Sequence, residues 1–423
     1  MKFHRYIILL GSVFSSFLGN MQGQAVVGFS PGSTAVGAPI TQPPRTSRSP
    51  APLSSIRSAF ANSGPLFKRG PLAIRPRLGY NWTYGNGILR VPGEPENTSI
   101  HDLNAGVTAD LGSSTSFDYS VSRSDYESRL LTDTTSYNAR ASTESSPGTG
   151  DWRFGVTVSY GSNAPTLVET GGQTYEKTFS SRAEIGYHIG PRSDLEFNVN
   201  RHVRRANPLN QPTTWTGSDW TQWASTGSMS YRISAVLKLG AGLGLGYDEI
   251  KFNPDMTYTQ PYMHVTWAMA RKLSFNGQVG TERRKTRGQK DSRENTTYSA
   301  SLGYQPLPTT SVSLSANRNV SASYFANQVS VSESQSLSVQ QRLFTRFFGS
   351  ASFTRGRSEY LPTINVPFEP RNDRFESFSI SLATSVLTRG NLGLSLNRSR
   401  NLSNSRSFGF TARQISFSFI YGF

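Results

Sequence analysis

The chain reads as an all-β protein: a transmembrane antiparallel β-barrel of about 18 strands, even in number, with short periplasmic turns and long extracellular loops. Three observations lead there. Apolar residues recur at every second position from residue 72 to the end. The stretches between these runs alternate in length. The composition, finally, combines many aromatic residues with little aliphatic bulk: 12% of residues are Phe, Trp or Tyr, but only 35% are hydrophobic, few for a packed soluble core of 423 residues. Such a chain suits a wall with one greasy and one polar surface. Its aromatic content argues against general disorder.

The first 25 residues have the pattern of a signal peptide. Lys2 and Arg5 precede the apolar stretch YIILLGSVFSSFLG, which is too short to span a membrane well, and Gly23 and Ala25 suit a cleavage site. Residues 26–71 are rich in Pro, Ser, Gly and Ala and show no apolar period, as expected of a flexible periplasmic arm. The chain contains no Cys. That removes a disulfide framework, a thiolate metal site, a thiol nucleophile and a lipid-modified cysteine anchor.

From residue 72 the runs follow one another. Tyr80, Trp82 and Tyr84 open the series; Trp152, Phe154, Val156, Val158 and Tyr160, and later Met263, Val265, Trp267 and Met269, continue it. Period 2 marks strands with two chemically different faces, and no window of helical period competes. Short connections such as 111–115, 189–194 and 270–272 alternate with longer ones such as 84–99, 161–174, 201–222 and 282–296. Nine long and eight short connections between strands put both ends of the barrel on one side, the periplasmic side of an outer membrane.

The last strand closes the argument. In RQISFSFIYGF, Ile415, Phe417, Phe419, Tyr421 and Phe423 alternate with Gln414, Ser416, Ser418 and, after the apolar exception Ile420, Gly422. A strand in lipid must pair all its backbone groups, so the final strand is expected to pair with the first. Tyr421 and Phe423 then fall at the interface, where an aromatic girdle belongs. The terminal pattern resembles the signal by which outer-membrane barrels are recognised for assembly.

The formal charge is +16, and much of it lies in segments read as connections. Arg204 and Arg205, and Arg283, Arg284, Lys285 and Arg287, form the leading clusters. Three readings stay open: an electropositive mouth that draws in anionic solutes or polysaccharide, guanidinium groups that bind lipopolysaccharide phosphates, and plain solvated loops. Behind a signal peptide, nucleic acid is not an expected partner.

On the face opposite the apolar runs lie mainly Ser, Thr, Asn, Gln, Gly and Arg, for example Ser313, Ser315, Ser336 and Ser338. Small polar side chains suit a wettable interior, and a barrel of about 18 strands is wide enough for an aqueous channel. His101, His188, His202 and His264 assemble no triad with Ser and Asp by spacing, so no catalytic, cofactor or metal set is expected. Asp248 and Glu249 are adjacent in a strand-like run and so point to opposite faces. Trp215, Trp220 and Trp223 are read either as a sugar-stacking cluster or as loop and interface anchors.

Two stretches, RPRLGYNWTYGNGILR (75–90) and LGAGLGLGYDEIKF (239–252), resemble the opening strand and a glycine-alternating strand of the beta-barrel porin 2 family. The resemblance covers about residues 72–423. It implies an outer-membrane barrel associated with exopolysaccharide export and brings no catalytic residues with it. Where family members often carry an acidic pair after the first strand's tyrosine, this chain has Tyr84-Gly85-Asn86-Gly87. The expected function is a channel for passive diffusion of hydrophilic solutes, anionic ones or polysaccharide included. The alternative is a structural or assembly component of an envelope polysaccharide system. Expected partners are outer-membrane lipid, lipopolysaccharide and the barrel-assembly machinery.

Overall fold

The structure, a computed structural model, describes residues 65–86, 97–145, 151–167, 169–170, 172–209, 219–251, 254–325, 327–344, 346–363, 370–386 and 389–423. The segment read as a signal peptide and the expected arm as far as residue 64 lie outside the described residues, as does Trp215.

Alternating polar and apolar residues build the strands β2 (Leu72–Asn86), β3 (Asn97–Leu111), β4 (Thr115–Tyr126), β5 (Thr134–Glu144) and β6 (Trp152–Asn163), after a short β1 (Phe67–Arg69). After a two-residue β7 (Thr166–Leu167) come β8 (Gly172–Gly190), β9 (Ser193–Pro208), β10 (Trp220–Arg232), β11 (Leu237–Ile250), β12 (Met256–Ala270) and β13 (Leu273–Thr286). The wall is completed by β14 (Ser292–Leu307), β15 (Thr310–Ala322), β16 (Gln328–Leu343), β17 (Phe347–Pro362), β18 (Arg371–Val386), β19 (Gly390–Ser403) and β20 (Phe410–Gly422). β1 only folds back on the start of β2, and β7 on the start of β8. The remaining 18 strands form one closed antiparallel barrel.

Closure takes place where the terminal alternation predicts it. β20 pairs with β19 on one side and with β2 on the other, so that Phe417 stands between Leu394 and Trp82, and Ile415 between Leu396 and Tyr84. Gly85 is required at this seam. Its φ is +155°, and a Cβ there would fall 2.0 Å from the carbonyl oxygen of Arg413. The row continues around the barrel as an outward apolar belt, with Leu103, Phe154, Phe197, Met229, Leu243, Met263 and Val279 all exposed.

The other face is polar. Hydroxyl pairs link neighbouring strands: Ser313 with Ser338 at 2.7 Å, Ser315 with Ser336 at 2.7 Å, Ser350 with Ser381 at 2.6 Å and Ser352 with Ser379 at 2.7 Å. The glycine alternation of β11 has a packing cause. A Cβ at Gly240, Gly242 or Gly246 would lie 2.1–2.5 Å from the rings of His264, Tyr262 and Tyr258 on β12, so these inward side chains lie over bare backbone.

Connections at the end where β2 begins and β20 stops are two to four residues long, apart from 145–151; those at the opposite end have five to eleven. Several predicted connections are shorter than the sequence suggested. Residues 201–208 belong to β9 and 282–286 to β13, so the connection read as 282–296 shrinks to 287–291. The strands run on beyond the apolar belt, and there both faces are polar. The hydrophobic period fades while the ladder continues, as in Thr259↔Arg283 and Tyr258↔Arg284.

Candidate functional site

The end of the barrel where the longer connections gather holds a cluster of buried polar and charged residues. It is built by three arginines that point inward from extended strands. Arg284 on β13 is 5% exposed and reaches Asp248 on β11 at 2.7 Å through Nη1 and Glu282 at 2.8 Å through Nε. Asp248 is 0% exposed and also accepts from Trp220 Nε1 at 3.1 Å and Gln222 Nε2 at 2.9 Å. The guanidinium of Arg284 lies 5.0 Å from the Tyr258 ring. This saturated cluster meets the rule that a buried charge be paired and hydrogen-bonded.

Arg204 on β9 and Arg371 on β18 hold the connections. Arg204 lies 3.9 Å from the ring of Tyr324 and 5.3 Å from that of Trp220, and donates through Nη2 to the Ser323 carbonyl at 3.0 Å. Tyr324 donates its hydroxyl to Glu176 on β8, and its backbone N–H to Glu169 at 2.7 Å. The Ser323 hydroxyl donates to the same carboxylate. Arg371 donates to the Glu169 carbonyl at 2.8 Å, pairs with Asp373 and stacks 4.5 Å from Tyr360 and 3.4 Å from Phe408. Arg204 and Tyr324 stand six strands apart around the wall. The connections carrying Glu169 and Tyr324 therefore reach inward and meet one another across the mouth.

The upper part of the β15–β16 hairpin makes this possible. The β14–β15 ladder ends at Tyr298↔Arg318, while β15 continues to Ala322. Beyond that point Val320, Val329 and Val331 join Trp220, Ile250 and Met256 in one buried apolar cluster. A second brace joins Thr132 and Gln173, whose backbone and side-chain amides exchange two hydrogen bonds of 3.0 Å.

Several inward charges elsewhere are matched, although the buried Asp102 is held only by Ser124 and Asn81. Arg77 meets Asp118 at 2.8 and 2.9 Å, Arg153 meets Glu196 at 2.8 Å, and Lys238 meets Asp194 at 2.6 Å. The basic residues singled out in the sequence are divided by strand parity. Arg204 and Arg284 point inward and are buried, whereas Arg205, Arg283 and Lys285 are exposed on the outer face, where the half-buried Arg201 lies 5.1 Å from the Trp223 ring. The first five are strand residues and not loop residues; Arg287 alone lies in a connection, 3.4 Å from Asp255. They do not form one electropositive patch. Trp220 and Trp223 likewise face opposite sides of β10, buried and exposed respectively, so no joint stacking platform arises from them. Asp248 and Glu249 diverge as read from the sequence.

The histidines do not build a relay among the described residues. His202 Nδ1 bonds Ser180 at 2.7 Å, and His264 Nε2 bonds Ser230 at 3.0 Å while its Nδ1 has no partner. Among the described residues no group of three or more His, Cys, Asp and Glu stands together as a metal site.

Glu169 gives the mouth a titratable element. Desolvation raises its pKa above the usual carboxylate range, against the lowering effect of its bonds to Ser323 and Tyr324 and of the nearby Arg204 and Arg371. A docked group with a raised pKa binds its proton more tightly than the undocked one, so protonation favours the docked connection, and that support is lost as pH rises through the docked pKa. Conductance across a bilayer should accordingly fall on acidification below neutrality. Glu169→Gln should abolish that response; the same acid response in Glu169→Gln would exclude Glu169 as its source.

Among solved structures, the chain is similar to the apoprotein form of the FrpB iron transporter from Neisseria meningitidis, with 11% identity, 87% of this chain and 83% of that chain covered, and a TM-score of 0.46. The outer membrane protein opdK from Pseudomonas aeruginosa gives 10% identity, coverage of 83% and 99%, and a TM-score of 0.45. OccAB3 from Acinetobacter baumannii gives 12% identity, coverage of 83% and 99%, and a TM-score of 0.42. No family model and no curated protein matches the chain.

Proposed function

We propose that this barrel sits in the outer membrane and serves as a channel for passive diffusion of small hydrophilic solutes. One observation carries the reading: a closed wall of 18 strands with an apolar belt outside and hydroxyls, amides and paired charges inside. A bilayer is the medium in which such an outer face is favourable, and a wall of this strand number encloses water. Selection then falls to the mouth, where Arg204, Tyr324, Glu169 and Arg371 hold the connections inward.

The same tied mouth favours a second reading, a barrel that anchors or assembles an envelope polysaccharide system without an open pore. Planar-bilayer recording separates the two. Discrete conductance steps are expected from the purified protein, with weak ion selectivity because most inward arginines are paired with carboxylates. Selectivity should be indifferent to Arg283→Gln, since that side chain points away from the lumen. A complete absence of steps would favour the anchor; strong anion selectivity lost in Arg283→Gln would restore the electropositive-mouth idea.

A further inference from the structure

Among the described residues, a group of arginines with few acidic partners lies on the outside of the barrel. On β17 to β20, just beyond the apolar belt toward the longer connections, Arg355, Arg357, Arg374, Arg398, Arg400 and Arg413 all face outward and all are exposed. Ladder register makes them neighbours. Arg398 stands directly opposite Arg413, and Arg357 directly opposite Arg374. Glu376 stands between Arg355 and Arg400 in the ladder and closes on Arg355, their nearest atoms 4.0 Å apart, and Arg357 contacts Glu359 at 2.6 Å. Among the described residues, no carboxylate lies within salt-bridge reach of Arg374, Arg398, Arg400 or Arg413.

Like charges directly opposite on a ladder are unfavourable. Two such pairs in one patch, with so few acids among them, call for an anion from outside the chain. A guanidinium offers a planar fork that takes phosphate oxygens bidentately. Phe353 and Phe378 stand in register with Arg398 and Arg413, and the next row below is apolar, with Ile380, Leu396 and Ile415 following one another across three strands. An amphiphile whose tails lie on that belt would bring its headgroup level with the arginines.

We infer that this patch is a binding site for a lipid that carries two or more phosphates on its headgroup, with Arg374, Arg398, Arg400 and Arg413 as the phosphate-contacting residues. The inference rests on the membrane placement proposed above, but not on the barrel being open.

The full-length protein in detergent micelles would be titrated with diphosphoryl lipid A, with the same lipid stripped of its phosphates, and with inorganic pyrophosphate, bound species being counted by native mass spectrometry. Diphosphoryl lipid should bind about tenfold more tightly than the stripped lipid. That advantage should vanish in Arg398→Gln/Arg413→Gln and persist in Arg283→Gln/Lys285→Gln, whose charges lie elsewhere on the outer face. Relief of like-charge contact keeps the first variant foldable, checked by heat-modifiable gel mobility. Equal binding of the two lipids, or an undiminished advantage in Arg398→Gln/Arg413→Gln, overturns the proposal; pyrophosphate displacing the lipid at equal concentration overturns its lipid source. Channel conductance does not enter this readout, so failure here and failure of the channel reading are separable.

Discussion

The double variant Ser323→Ala/Tyr324→Ala should raise single-channel conductance several-fold while leaving the barrel folded. Three side-chain groups tie the connection after β15 to the far wall, the Tyr324 hydroxyl on Glu176, its ring against Arg204 and the Ser323 hydroxyl on Glu169, beside two backbone bonds, the Tyr324 N–H to Glu169 and Arg204 to the Ser323 carbonyl. The two substitutions remove all three and leave the strand ladders untouched. Burial holds the Tyr324 phenol above its ordinary pKa, so it remains a donor across the working pH range. Hydrogen bonds to charged partners contribute about 1.5–3 kcal/mol each, so the docked state should lose roughly 3 kcal/mol or more, on the order of a hundredfold in its population ratio. Unchanged conductance would mean that this connection does not set the width of the path. Arg283→Gln is the control, because its side chain lies on the outer face of β13.

Phe417→Arg should destabilise the barrel by about 2–4 kcal/mol, the cost of a guanidinium on the lipid face near mid-belt. Phe417 is flanked along its strand by Ile415 and Phe419, and across the seam by Leu394 and Trp82, so no polar group is near for the new charge to reach. Its neighbour Ser416 faces the lumen, where its hydroxyl lies 2.9 Å from that of Thr83. Ser416→Arg should therefore have much less effect. Urea unfolding in phospholipid vesicles, followed by tryptophan fluorescence, measures both. Equal shifts for the two variants would mean that the alternation of β20 does not separate lipid from water, and the membrane reading would fail with it.

The closing strand was legible because each of its outward positions is large and apolar and each inward one, Ile420 aside, is small or polar. The same rule located Tyr80, Trp82 and Tyr84 as its partner row. It failed for the extensions of β9 and β13. There Arg283 and Arg284 are both polar, one facing out and one in, so the run resembles a loop by composition although its backbone is paired. Applying strand parity through 282–286 would have separated the buried Arg284 from the exposed Arg283 and Lys285. The split of Asp248 from Glu249 was read correctly on that basis. The tie between Tyr324 and Arg204 had no signature in the sequence, because it depends on which parts of the wall closure brings face to face. The glycine alternation of β11 was visible as a pattern, but its cause lies in the rings of the adjacent strand.

The serine rungs along β15–β16 and β17–β18 have a consequence for traffic. Each hydroxyl is already engaged with its cross-strand neighbour. In the proposed channel a passing solute would meet hydroxyls paired across the strands, with one proton per pair left to bond it, so the wells along those strands should be shallow. Rapid transit needs such shallow wells, because a tightly held permeant leaves slowly. Residence time in this part of the barrel should then scale with the permeant's bulk far more than with its chemistry.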